Sequence, residues 1–126
     1  MADTQPAIIA IPAVGVAVRD QDSALTFYTE ILGLQKQLDV LIPQFGGRWI
    51  TVAPPGSATS IALVPADETN PVGVETGIRL ATDDAAAMHK YLRKHGVAVD
   101  ELLCWEGIPP MFAFRDLDGN GLEIVQ

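Results

Sequence analysis

A single cysteine, Cys104, occurs in 126 residues, so no disulfide can close within the chain, and a reducing compartment suits it. Basic residues are scarce: 8 Lys and Arg stand against 16 Asp and Glu, a formal net charge of −8. Binding to a phosphate backbone needs clustered cations, so this balance argues against a nucleic-acid partner. It offers no polybasic attraction to anionic lipid either. No apolar run approaches the roughly 18 residues that cross a bilayer, so no membrane span is expected. Met1 to Pro6 places no basic residue ahead of an apolar stretch, which is unlike a signal peptide, and a cytoplasmic location is expected. What the chain does have is an ordinary globular balance, 48% hydrophobic and 19% charged. At this length it should bury about 65–70% of its unfolded surface, enough for a core without staples.

Two segments carry helical spacing. Ala24, Leu25, Phe27, Tyr28, Ile31 and Leu32 recur on one face, with Asp22 or Ser23 as the cap and Gly33 as the stop. A second helix is expected from Ala85 to His95, capped by Asp83 or Asp84 and stopped by Gly96. The rest reads as short strands: Ile9–Val18, Leu34–Leu41, Arg48–Ala53, Ser60–Val64, Glu75–Ala81, Ala98–Trp105, Met111–Arg115 and Gly121–Val125. Pro43, Gly46-Gly47 and Pro54-Pro55-Gly56 break them, and Pro65–Val72 reads as a polar linker. The order is βαβββ, linker, βαβββ. Gly15-Val16-Ala17-Val18 with Asp22-Ser23-Ala24 is echoed 62 residues later by Gly77-Ile78-Arg79-Leu80 with Asp84-Ala85-Ala86. This faint internal repeat divides the chain into modules at 1–66 and 74–126, joined by 67–73.

A duplicated βαβββ chain carrying Ala24-Leu25-Thr26-Phe27-Tyr28, Leu32-Gly33-Leu34 and the ending Phe114-Arg115-Asp116-Leu117-Asp118-Gly119-Asn120-Gly121-Leu122-Glu123-Ile124 resembles the vicinal oxygen chelate superfamily. That superfamily includes glyoxalase I, the bleomycin-resistance proteins and the extradiol dioxygenases. The resemblance covers nearly the whole chain. It implies an α+β fold in which two βαβββ modules form a curled mixed-sheet cup with helices outside, and a homodimer that completes the cup walls. In the metal enzymes of the superfamily, His, Glu or Gln from four strands hold a cation on the cup floor. Those positions fall here on Ala13, Ala62, Gly77 and Glu123. Three of the four carry no donor, so no metal and no other cofactor is expected.

Strand side chains alternate faces. If Ala13, Ala62, Gly77 and Glu123 face the cup, then Gly15, Ala17, Ser60, Val64, Glu75, Arg79, Ala81, Gly121 and Val125 do too. Trp49, Thr51, Met111 and Ala113 join them on neighbouring strands, and Trp105 lies near the mouth. Arg79 either pairs with Glu75, two positions away on the same strand face, or meets a ligand. Glu123 is either a family relic bonded to a neighbour, a general base or a polar anchor, since a carboxylate in an apolar cup has a raised pKa. Trp49 is either packing or a stacking platform. His89 and His95 read as surface residues, and Asp100, Glu101 and Glu106 as a solvated rim or an attractor for cations. Cys104 reads as a small buried hydrophobe, and Asp116–Asn120 as a tight hairpin turn.

The functional expectation is a metal-free, glyoxalase/bleomycin-resistance-like protein that binds a small, aromatic or antibiotic-like molecule. Arg79, Trp49, Glu75, Trp105 and Met111 are the candidate ligand contacts. The alternatives are a glyoxalase-like lyase or isomerase using Glu123 as base and Arg79 as enolate stabiliser, and a metal-dependent lyase or dioxygenase of the same superfamily.

Overall fold

Seven strands and two helices make up the fold in the computed structural model, which describes residues 5–126. Met1–Thr4, part of the segment read above as unlike a signal peptide, lie outside the described residues. β1 (Ala13–Val18), α1 (Gln21–Thr26), β2 (Gln35–Ile42), β3 (Gly47–Ala53) and β4 (Ser60–Pro65) come first. β5 (Glu75–Ala81), α2 (Ala85–Lys94), β6 (Met111–Arg115) and β7 (Gly121–Val125) follow. The result is an α+β fold with two mixed sheets, ordered β1-β4-β3-β2 and β5-β7-β6. In each sheet the first strand of the module runs parallel to the last, and the remaining pairings are antiparallel.

Local chemistry starts and stops the helices. Asp20, rather than Asp22 or Ser23, caps α1; its carboxylate accepts from the Ser23 N–H at 3.1 Å. Asp22 instead meets the Arg48 guanidinium at 2.7 Å. A π-helical turn, Phe27–Ile31, prolongs α1, and Gly33 follows at φ +75°. Asp84 caps α2 by accepting from the Ala87 N–H at 3.0 Å.

Two expected strands are shorter than their sequence patterns. β1 begins at Ala13 rather than Ile9, because β4 begins at Ser60, directly opposite Ala13, and offers residues 5–12 no ladder. Ala98–Trp105 forms no continuous strand. It touches β6 through two isolated bridges, Val99 to Phe114 and Leu103 to Met111. Four steps on one side face three on the other, and the unmatched residue breaks the ladder as a bulge does.

Alternation along the strands builds one core. Val16, Val18, Ile50, Val52, Ile61 and Leu63 of the first sheet join Phe112, Phe114, Leu122 and Ile124 of the second around Ala24, Tyr28 and Leu92. Both modules therefore share a core through their helix-bearing faces. Their other faces turn away from it, and Gly15, Glu75, Gly77, Arg79 and Ala81 lie exposed there.

The β6–β7 turn does more than reverse the chain. Asp116, Asp118 and Asn120 are buried. Asp118 accepts from the Arg19 backbone N–H at 3.0 Å, and Asn120 donates to the Ala17 carbonyl at 2.8 Å. The Tyr28 hydroxyl donates to Asp116 at 2.6 Å. The turn of the second module thus grips β1 and the helical segment of the first.

Candidate functional site

The outer face of the first sheet is set by register. Gly15, Ala62, Thr51 and Leu38 form one row across the strands; beyond it Ala17 pairs with Val64 and Val40 with Trp49, and Trp49 and Val64 line the same hollow. A bulge between Lys36 and Leu38 brings Gln37 to this face, where its side-chain oxygen accepts from the Ser60 hydroxyl at 2.6 Å. Small residues in β1 and β4 leave a shallow floor, walled on one side by Trp49, Leu38 and Val40. The half-buried Trp49 lies beside Val64–Asp67 and Asn70. Leu38 and Val40 also belong to this face, on a strand to which the sequence pattern had assigned no face.

The outer face of the second sheet carries charge. Arg79 donates from Nε to Glu123 at 3.1 Å, and the two are direct register partners on β5 and β7. Of the alternatives open for Arg79, the pairing with Glu75 does not form. Glu75 instead reaches across β7 to Arg115 on β6, at 2.5 Å. Gly121 permits this, since a Cβ there would collide with the Glu75 carboxylate. The physical reason for the exchange is a register shift. β5 bulges between Glu75 and Arg79, with Gly77 at φ +75°, so two residues in the same alternation phase are displaced from one another. Met111 lies on the same face of β6 as Arg115, with Ala113 between them.

Of the residues singled out from sequence, Arg79, Glu123, Glu75 and Met111 therefore share the outer face of the second sheet. Trp49 belongs to the first sheet. Trp105 is 60% exposed in a turn closed by the Ile108 N–H on its carbonyl. Cys104 is exposed rather than buried, because its segment is a loop instead of a strand. His89 is half-buried, packs edge-on to Phe112 at 4.8 Å and meets the Asp100 carbonyl at 2.8 Å, so it ties the 98–105 segment to α2. His95 is exposed and lies against Tyr91. Arg115 and Gly121 carried no sequence signal for this face beyond strand phase.

Two carboxylates elsewhere are held by local hydrogen bonds. Hydrogen bonds from Arg48, at 2.9 Å to each carboxylate oxygen, hold the Asp39 carboxyl below its ordinary range. The Thr69 hydroxyl and the backbone N–H groups of Thr69 and Asn70 do the same for Asp67.

The residues at the four positions of a superfamily metal site do not fit a cation. Ala13, Ala62 and Gly77 supply no donor, and the Glu123 carboxylate is engaged by a guanidinium. The backbone at Gly77 is left-handed, a conformation that strains a ligating L-residue by about 1–2 kcal/mol. Among the described residues, no group of three or more His, Cys, Asp or Glu side chains could hold a metal ion.

Between the two sheets opens a cleft of about 340 Å³. Val14, Val52 and Ile61 wall it from the first sheet, Ile78 and Leu80 from β5, and Arg79 lines it as well. Ser57, Thr59 and Ser60 line it from the segment around the start of β4.

Comparison with known proteins gives a consistent picture. A family model described as Glyoxalase/Bleomycin resistance protein/Dioxygenase superfamily matches residues 10–124. TnmS3, an antibiotic binding protein from Streptomyces sp. CB03234, is 35% identical and superposes with a TM-score of 0.85, covering 97% of this chain and 98% of that one. A member of the same superfamily from Sphaerobacter thermophilus is 33% identical with a TM-score of 0.83, covering 94% of this chain and 97% of that one. The uncharacterized protein YurT of Bacillus subtilis is 29% identical, over 92% of this chain and 98% of its own length. No helix among the described residues is long and apolar enough to cross a membrane.

Proposed function

Because the chain belongs to the glyoxalase/bleomycin resistance protein/dioxygenase superfamily, we propose that it is a metal-free, cytoplasmic binding protein for a small aromatic, antibiotic-like molecule. The observation that carries this reading is the outer face of the first sheet: small residues on the floor, Trp49 beside it, and no donor set for a cation. The 35% identity to an antibiotic binding protein supports it. In this reading residues 1–66 and 74–126 are the two modules, joined by 67–73. Trp49 offers its ring for stacking, while Arg79, Glu75, Trp105 and Met111 supply further contacts.

The test is a fluorescence titration with a panel of aromatic antibiotics that includes bleomycin. Saturable binding with Kd of about 10 μM or tighter is expected, unchanged after dialysis against EDTA. Trp49→Ala should weaken it about tenfold, equal to 1.4 kcal/mol. Absence of saturation by every member at about 1 mM, or loss of binding on chelation, overturns the reading.

A homodimer is part of the same proposal. Ile8 and Ile9 are 97% and 92% exposed on the extended segment before β1, and Leu41 is 72% exposed on the outer edge strand β2. Apolar groups and an open sheet edge of this kind call for a covering partner, and a second copy related by a two-fold axis covers both at once. Light scattering should give twice the 13.5 kDa chain mass at micromolar concentration. A particle of the chain mass itself rejects the dimer.

One observation favours a second reading. Glu123 and Arg79 stand 3.1 Å apart, a carboxylate base beside a cation that could stabilise an enolate. Turnover of the methylglyoxal hemithioacetal that is lost in Glu123→Gln would establish the lyase or isomerase alternative.

A further inference from the structure

The cleft between the sheets is bordered by main chain as well as by apolar side chains. Ile78, Arg79, Leu80 and Ala81 all line it, four consecutive residues of β5. Side chains alternate along a strand, and Arg79 and Ala81 send theirs to the outer face, so it is their backbone that borders the cleft. β5 has a ladder partner, β7, along one edge only. On that edge the Thr82 N–H donates to the Val125 carbonyl at 3.0 Å, and alternation turns the N–H and C=O groups of Arg79 and Ala81 to the other edge. Among the described residues, no other segment takes those groups up. An open strand edge flanked by Val14, Val52, Ile61, Ile78 and Leu80 is suited to receive an added strand. The edge would bond its backbone and the walls would cover alternate side chains.

The chain carries a segment of that kind. Ala7-Ile8-Ile9-Ala10-Ile11 is uncharged and rich in β-branched residues, and Pro12 behind it restrains Ile11 to extended backbone. In its own chain the segment finds no cover: Ile8, Ile9 and Ile11 are 97%, 92% and 67% exposed. It leaves the fold at the rim of the cleft. The Thr59 hydroxyl donates to the Ile11 carbonyl at 2.8 Å and the Ser60 N–H to the Pro12 carbonyl at 2.9 Å, and both Thr59 and Ser60 line the cleft. As a strand, residues 8–11 span about 13 Å, the same length as Ile78–Ala81. Two copies set rim to rim across a two-fold axis therefore bring each segment to the other's cleft, and the exchange is reciprocal and closed. On the basis of the homodimer above, we propose that residues 8–11 of each copy add as a strand to the open edge of β5 in the other, with Ile9 and Ile11 in the inter-sheet cleft.

The test is methyl–amide NMR on full-length chains, in a dimer reassembled from equal parts of two samples. One sample carries isotope-labelled isoleucine methyls; the other is deuterated and carries labelled backbone amides. Cross-peaks from the Ile9 and Ile11 methyls to the Arg79 and Ala81 amides are then contacts between chains, and they are expected. Ile9→Asp puts a charge into the cleft and should raise the dimer dissociation constant at least about tenfold. Since Ile9 is exposed in the single chain, the variant keeps its fold. The Arg79 and Ala81 amides should exchange with solvent at least about tenfold faster in that variant than in the wild-type dimer. The same cross-peaks in a uniformly labelled sample, but not in the mixed one, would mean that each segment docks in its own cleft, and would reject the exchange. A dimer by light scattering that shows neither cross-peak rejects the exchange and leaves the dimer standing, whereas a particle of the chain mass rejects both. An Ile9→Asp dimer as tight as wild type also overturns the exchange.

Discussion

Asn120→Ala should lower the melting temperature by roughly 10–15 °C, from a loss of about 3 kcal/mol. The Asn120 amide is fully buried in the β6–β7 turn and is shared between both modules. Its oxygen accepts from the backbone N–H groups of Gly73 and Val74 at 2.9 and 3.3 Å. Its nitrogen donates to the Ala17 carbonyl at 2.8 Å and to Asp116 at 3.1 Å. Alanine removes all four contacts and leaves backbone groups of β1 and of the segment before β5 unsatisfied. Each buried group left in that state costs about 1–3 kcal/mol. Leu117→Ala, at an exposed position of the same turn, is the control and should fall within about 0.5 kcal/mol of wild type. Thermal melts of the two variants decide the matter. If Asn120→Ala melts alongside the control, the turn does not hold the modules together.

The Tyr28 hydroxyl should give the chain a specific weakness at high pH. Burial pushes the phenol well above its ordinary value of 10.0, and the Asp116 charge, the hydrogen bond to Asp116 and the Asp118 charge push the same way. In the folded chain the phenol keeps its proton; in the unfolded chain it loses it near the ordinary value. Above that pH the unfolded state binds fewer protons, so stability falls by about 1.4 kcal/mol per pH unit, and below it the contribution is fully present. Tyr28→Phe removes this dependence along with a hydrogen bond to a charged group, a loss of about 1.5–3 kcal/mol at neutral pH. Wild type should therefore be the more stable protein at about pH 8, and the gap should close by roughly 2–3 kcal/mol towards pH 12. Urea titrations of both proteins across that range test it. A gap that stays constant through the alkaline range would show that the buried phenol is not the titrating group.

Much of the fold was legible because its signals are local. Gly33 and Gly96 end helical patterns, and both adopt positive φ, which glycine reaches without a Cβ penalty. Asp84 caps α2 as its position before the apolar run suggests. Alternation sorted Val16 and Val18, or Phe112 and Phe114, onto the core face correctly, since it depends only on the strand's own pleat. The missing strand at 98–105 shows the limit. Its pattern is strand-like, but pairing depends on whether the neighbouring strand matches it residue for residue, and one extra residue prevents that.

The candidate site follows the same division. Sequence alone determined the core-facing phase of most strands, that three of the four positions where the resemblance puts a metal lack a donor, and that acidic charge dominates the chain. Tertiary structure decided how the charges pair. Arg79 takes Glu123 and Glu75 takes Arg115, because β7 lies between β5 and β6 and the bulge at Gly77 shifts the register. It likewise turned Asp116–Asn120 from a hairpin turn into the grip between modules, and it opened the cleft beside Arg79. Face and cap are properties of a few consecutive residues, whereas register, ion-pair partners and clefts depend on segments tens of residues apart, whose relative placement only the packed core determines.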